Sequence, residues 1–431
     1  MTSPRLAVLA AAVITSGALG GSLGLAASPS PTPSSSPTAS PSASSTPTPT
    51  SALDRISSQV RAAMRGSTAG KVHYKITIAG VGDVARQAQQ ASAPASNEKL
   101  FTSIALLEQV GPDFRYATQV YGTTAPIAGT LHGDLILVGS GDPTLTHRDL
   151  GKLARQLRAT GLSRVTGQLV VDDSRYSHAT RAPGWKHDFL PDESGAIDAF
   201  SVDNDNWRSS QSFLADPTPA NAGLWRDALK AAGIHVAGPT HIGVAPPDRY
   251  SLVTHRSRPL SKIVQMTLRE SINYYAEMMM REIGYQVTGH GTRSSGVAAV
   301  QRFARGYRLP VGRVEDGSGL SYANRETPGT YIEWLAKLTT LPPAYRVVYA
   351  GLPASCERGG TLEYRMCGRH MKGMVHAKTG TLDHISSLSG YTETSTGRFV
   401  TFSFLLSRVK SITTANNHID AALKAVVRSA A

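Results

Sequence analysis

The sequence predicts an α+β fold in which a smaller α+β module is inserted into a larger domain. Three observations carry that prediction. Apolar residues recur at helical spacing over 53–64 and again at Leu100, Ile104, Leu107 and Val110. The last third holds three strand-like runs, 373–378, 386–392 and 398–406, and the turn at 393–397 makes the latter two antiparallel neighbours. Between these regions, from about residue 117, the texture changes. Strand candidates at 116–121, 129–138 and 168–171 surround one helix at 149–160, and an irregular stretch at 176–219 is rich in Pro, Gly, Asp and Asn.

Taken in order, residues 1–27 read as an export signal or N-terminal anchor, with Arg5 ahead of an apolar run and small residues after it. Residues 28–51 are almost wholly Ser, Pro, Thr and Ala, which cannot bury a core and form an extended spacer. The larger domain begins at 52 and runs to 116; the inserted module occupies 117–218; the larger domain resumes at 219 and continues to 431. In the resumed part, helices are expected at 222–232, 327–338 and 414–428, with a strand near 240–244. Two cysteines, Cys356 and Cys367, stand close together, and in an oxidising compartment that spacing favours a disulfide across a short loop.

The composition, 41% hydrophobic and 17% charged, is that of a soluble globular protein. A net charge of +13 suits an anionic partner such as a cell wall, or simply a soluble basic surface, because no long Lys/Arg run concentrates it. No nucleic-acid partner is expected. The histidines show no metal-site spacing, no dinucleotide or phosphate-loop motif occurs, and neither metal nor cofactor is expected.

Chemistry is suggested first by Ser96-Asn97-Glu98-Lys99. Residues three apart share a helix face, so Lys99, if its charge is disfavoured by burial or by a second cation, can take the proton of the Ser96 hydroxyl. The tetrapeptide alone is weak, since Ser407 and Lys410 match it too and Ser96 could be a helix cap. Two later motifs decide between them. Ser271-Ile272-Asn273 and Lys378-Thr379-Gly380 each occur once and follow Ser96–Lys99 in order, whereas Ser407 comes after both.

In this order the three motifs resemble those of the penicillin-recognising serine enzymes, the penicillin-binding proteins and serine β-lactamases. The flanking segments, Gly141-Asp142-Pro143-Thr144-Leu145, Val171-Asp172-Asp173-Ser174-Arg175, residues 316–321 and Asn324-Arg325, resemble the class C low-molecular-mass penicillin-binding proteins. That resemblance implies a transpeptidase-type domain, an antiparallel sheet flanked by helices, with an extra domain between the first and second motifs. It also implies a D-Ala-D-Ala carboxypeptidase, in part an endopeptidase, acting on peptidoglycan stem peptides and inhibited by β-lactams. By the same resemblance Ser96 is the nucleophile, Lys99 its base, and Ser271 the donor to the leaving amine. Asn273 would bind the substrate amide or orient Lys99. Lys378 and Thr379 would face the substrate carboxylate, and Lys378 would depress Lys99 by like-charge repulsion. Gly380 would let the substrate lie along the strand, and the Ser96 and Thr381 N–H groups would form the oxyanion hole. Two readings from other classes stand beside this one, a β-lactamase and a non-catalytic wall-binding protein on the same scaffold. The only Gly-x-Ser-x-Gly, at 20–24, lies in the leader.

Overall fold

The computed structural model describes residues 51–430 except 179–180, 191, 206–207, 210–211 and 214–215. The expected leader, and the spacer apart from Ser51, lie outside the described residues. The described chain opens with α1 (Ala52–Met64), capped by the Ser51 hydroxyl, and continues into the antiparallel pair β1 (Ala69–Ile78) and β2 (Gly82–Arg86). A 3-10 turn at Ala95–Asn97 leads directly into α2 (Glu98–Val110). Every α2 residue from Glu98 to Leu107 is buried, so this helix runs through the interior and is not amphipathic as its spacing suggested.

A second sheet follows. Its strands are β3 (Ala117–Gly122) and, after the short β4 (Thr130–Leu131), β5 (Leu135–Val138). The single strand expected over 129–138 is broken at Gly133, whose φ of 147° lies outside the range of residues that carry a side chain. Next come α3 (His147–Ala159), β6 (Arg164–Val165) and β7 (Leu169–Asp172). A two-residue hairpin, β8 (Arg208–Ser209) and β9 (Ser212–Phe213), precedes α4 (Thr218–Ala231), β10 (His235–Val236), β11 (Thr240–Ile242) and β12 (Tyr250–Arg256). The sheet order is β11-β7-β5-β3-β12. The expected boundary at 218 is therefore too early. α4 shares an apolar cluster with α3 through Trp225 and Leu229, β11 pairs with β7, and β12 pairs with β3. The stretch forming this sheet runs from 117 to 256.

The rest is a helical layer and the return to the first sheet. It comprises α5 (Leu260–Arg269), α6 (Asn273–Thr288), α7 (Arg293–Gly306), α8 (Pro328–Thr339) and α9 (Pro342–Gly351). The strands β13 (His376–Leu382), β14 (Ile385–Glu393) and β15 (Phe399–Val409) precede α10 (Ile412–Val427). The first sheet has the order β13-β14-β15-β1-β2. On one face α1 and α10 cover it through Val60, Ile419 and Leu423 against Ile76, Phe402 and Phe404. On the other, α8 packs Leu335 and Leu338 against Tyr391 and Leu405, joining the sheet to α2 and α6. Strand β13 lies at the edge, so its outer backbone groups have no neighbouring strand.

Candidate active site

Three remote segments meet between α2, α6 and β13. The 3-10 turn carries Ser96, half-buried, and the first turn of α2 carries Lys99, fully buried. The preceding Ala95 has φ 50°, a left-handed conformation that a non-glycine residue holds only at a cost of about 1–3 kcal/mol. The turn is braced from below: a Cβ on Gly319 would lie 1.9 Å from the Ala95 carbonyl oxygen, so only glycine permits the close approach. Ser271, the residue that opens the second motif, is left-handed too, at φ 60°. It precedes α6, of which Asn273 is the first residue, while Ile272 packs into the helical core.

The Lys99 ammonium donates to Ser96 Oγ at 2.9 Å, to Asn273 Oδ1 at 2.7 Å and to the Ser318 carbonyl at 2.7 Å. The Lys378 ammonium, also fully buried, donates to Ser271 Oγ at 2.9 Å and to the Thr379 carbonyl at 2.9 Å. Thus Lys99 faces Ser96 and Asn273, and Lys378 faces Ser271. Burial pushes the Lys99 pKa down to about 7, against the upward pull of Asp316, Glu277, Glu193 and Glu98. Burial first, and the Lys99 charge second, hold Lys378 well below the ordinary lysine range. The expected cause of the Lys99 shift is therefore corrected. Burial, not repulsion from Lys378, is the largest cause of the Lys99 shift.

The third motif sits inside β13, not at a strand end as the sequence suggested. Thr379, Gly380 and Thr381 pair with Leu388, Ser387 and Ser386, and the strand turns only at Asp383–His384. Glycine weakens a strand and reads as its end, but here it is needed for a close approach. A Cβ at 380 would lie 2.2 Å from Ser387 Oγ, 2.8 Å from the Pro94 carbonyl and 3.0 Å from Ser96 N. Gly380 thus accommodates the serine turn itself rather than only a ligand. The Cys356–Cys367 disulfide closes the neighbouring loop, whose Thr361 accepts from Thr379 Oγ1 at 2.6 Å.

These groups open into a cleft of 660 Å³ lined by Ser96, Ser271, Asn273, Thr379, Thr381 and Glu193. Sequence reasoning missed Glu193. Asn273 Nδ2 donates to its carbonyl at 3.0 Å and its Oε2 at 3.1 Å, so this residue of the irregular stretch 176–219 holds the asparagine amide in place. No local pattern marks it. Asp316 was legible within its Gly-rich segment; its carboxylate accepts from the Gly319 and Ser321 N–H groups, the Asn324 amide and the Trp185 indole, fixing the turn that carries the Ser318 carbonyl.

Comparison with known proteins gives the family and the fold. The chain is 29% identical over 409 residues to a D-alanyl-D-alanine carboxypeptidase of an Actinomadura species, covering 76% of each chain. It is 31% identical over 346 residues to a carboxypeptidase of Mycobacterium tuberculosis, covering 72% of this chain and 70% of that protein. The fold is similar to that of penicillin binding protein 4 from Haemophilus influenzae, with a TM-score of 0.77 at 20% identity over 85% of this chain and 98% of that one. The family description that matches residues 52–223 and 206–428 is that of D-Ala-D-Ala carboxypeptidase 3, S13. With its serine–lysine centre set between an α-helical layer and the edge of an antiparallel sheet, the chain belongs to the D-Ala-D-Ala carboxypeptidase 3 (S13) family of serine peptidases.

Proposed function

We propose that this D-Ala-D-Ala carboxypeptidase works through an acyl-enzyme on Ser96 and takes peptidoglycan stem peptides as substrate. The observation that carries the reading is the convergence on one cleft of Lys99 with Ser96 and Asn273, and of Lys378 with Ser271. Ser96 Oγ attacks the carbonyl carbon of the D-Ala-D-Ala peptide bond, and its proton passes to the neutral Lys99 amine 2.9 Å away. A pKa of about 7 leaves a large share of that amine neutral near neutral pH. The tetrahedral oxyanion is received by the N–H groups of Ser96 and Thr381. As that intermediate collapses, the C–N bond breaks and Ser271 supplies the proton that the leaving amine needs, replenished from the lysines. Water then hydrolyses the ester.

The substrate adds as a strand along the open edge of β13. Its terminal carboxylate binds beside Lys378 and Thr379. A carboxylate there favours the charged form of Lys378, against the burial that disfavours it. Asn273, clamped by Glu193, orients Lys99. A β-lactam follows the same acylation path and blocks the site. Release of D-Ala and cleavage of a cross-link share this chemistry and differ only in the length of the leaving amine. Work on peptidoglycan requires an extracytoplasmic location, for which residues 1–27 serve as export signal or anchor. No helix among the described residues is long and apolar enough to cross a membrane.

The test is D-Ala release from a stem peptide ending in D-Ala-D-Ala, by the wild type and by Ser96→Ala. The reading expects release by the first and none by the second. Equal release by both would overturn it, and rapid penicillin turnover without D-Ala release would make the protein a β-lactamase.

A further inference from the structure

Glu277 lies four residues after Asn273 on α6, so the two side chains share a face of the helix. It is 2% exposed. Its Oε1 accepts from the N–H of Gly317 at 3.0 Å and of Ser318 at 2.8 Å. The carbonyl of that same Ser318 accepts from the Lys99 ammonium at 2.7 Å. Helix α6 therefore holds Lys99 twice, directly through Asn273 and at one remove through Glu277 and the 317–318 backbone. A Cβ on Gly317 would stand 2.5 Å from the Ala276 carbonyl oxygen, so the turn is pressed against this part of α6.

The charged groups around Glu277 come from every element packed there. They are Lys99 and Glu98 on α2, Asp316 on the turn and Arg281 on its own helix, with Arg293 of α7 acting in turn on Arg281. Burial, with Asp316 behind it, raises the Glu277 carboxyl to about 7, against the N–H donors and Arg281. Glu277 in turn is one of the carboxylates that draw the Lys99 pKa upward against burial. Two groups of opposite sign thus titrate in the same range and are joined through one residue, Ser318.

We propose that Glu277 is a positioning residue for Lys99: its carboxylate fixes the 317–318 backbone that orients the ammonium, and its charge governs how readily the amine becomes a base. The proposal rests on the reading of Lys99 as the base that activates Ser96. Glu277→Gln keeps an Oε1 acceptor for both N–H groups and removes the charge. Glu277→Asp keeps the charge on a shorter arm.

The experiment measures the acylation rate by fluorescent penicillin from pH 5 to pH 9, with the melting temperature of each variant alongside. Loss of the negative charge removes stabilisation of the Lys99 ammonium. The acid limb of Glu277→Gln therefore moves to lower pH, by about 0.5–1 unit given that Glu277 is only partly ionised there. In Glu277→Asp the limb returns towards the wild-type position. A limb that stays at the wild-type pH in Glu277→Gln, with only the melting temperature changed, overturns the proposal and leaves Glu277 a structural group. A wild-type profile with no acid limb near pH 7 overturns the Lys99 reading itself, and the proposal with it.

Discussion

Lowering the pH should slow acylation of Ser96 in a way that reports the buried state of Lys99. The reacting form of Lys99 is the neutral amine, so protonation removes the base and the rate falls as pH falls. With a pKa of about 7, burial being the main cause, the neutral fraction is about 90% at pH 8, about 50% at pH 7 and about 9% at pH 6, so the rate drops roughly tenfold between pH 8 and pH 6. A lysine at its ordinary pKa would be only about 0.04% neutral at pH 7 and would gain about tenfold with each unit up to pH 10. The assay is the second-order rate of labelling by fluorescent penicillin at constant ionic strength, with Lys99→Arg as the permanently charged control. Labelling that climbs steadily through pH 9, or a Lys99→Arg protein that labels at the wild-type rate, would refute the assignment of Lys99 as a depressed, buried base.

Gly380→Ala should be far more damaging than its one methyl suggests, because the new Cβ would stand 2.8 Å from the Pro94 carbonyl and 3.0 Å from Ser96 N. If this moves one oxyanion donor out of place, acylation falls by about 10²–10³-fold; a loss under tenfold, measured by the same labelling, would contradict it. Arg175→Ala should destabilise the protein by about 3 kcal/mol, by leaving a buried carboxylate without its cation. The carboxylate is Glu282, 0% exposed, which retains only the neutral donors Tyr176 and Gln286. Chemical denaturation reads that loss, and a change below 1 kcal/mol would show that the two neutral donors suffice.

The candidate site was legible because it lies in short motifs whose order and uniqueness can be checked without a structure. Ser96 with Lys99, Ser271 with Asn273, and Lys378 with Thr379 and Gly380 meet at one cleft. The antiparallel run of β13, β14 and β15 was legible for a related reason, since alternating apolar residues and a turn are local signals. What escaped depends on distant contacts. The boundary at 218 was missed because the helix at 222–232 and the strand near 240–244 were assigned to the larger domain, and only the packing of α4 on α3 and the pairing of β11 with β7 place them with the second sheet. Glu193 belongs to a stretch with no periodicity and acquires its role only by reaching Asn273, 80 residues on. The depression of Lys99 follows from the burial of all the first turns of α2, which its own apolar spacing did not foretell.

The central claim is a covalent intermediate on one serine in a D-Ala-D-Ala carboxypeptidase. The most direct measurement is mass spectrometry of the intact protein and of its peptides after incubation with penicillin. The account predicts a single adduct of the mass of the drug, mapped to the peptide containing Ser96 and absent from Ser96→Ala. An adduct on Ser407 or another residue, or an undiminished adduct in Ser96→Ala, would contradict it.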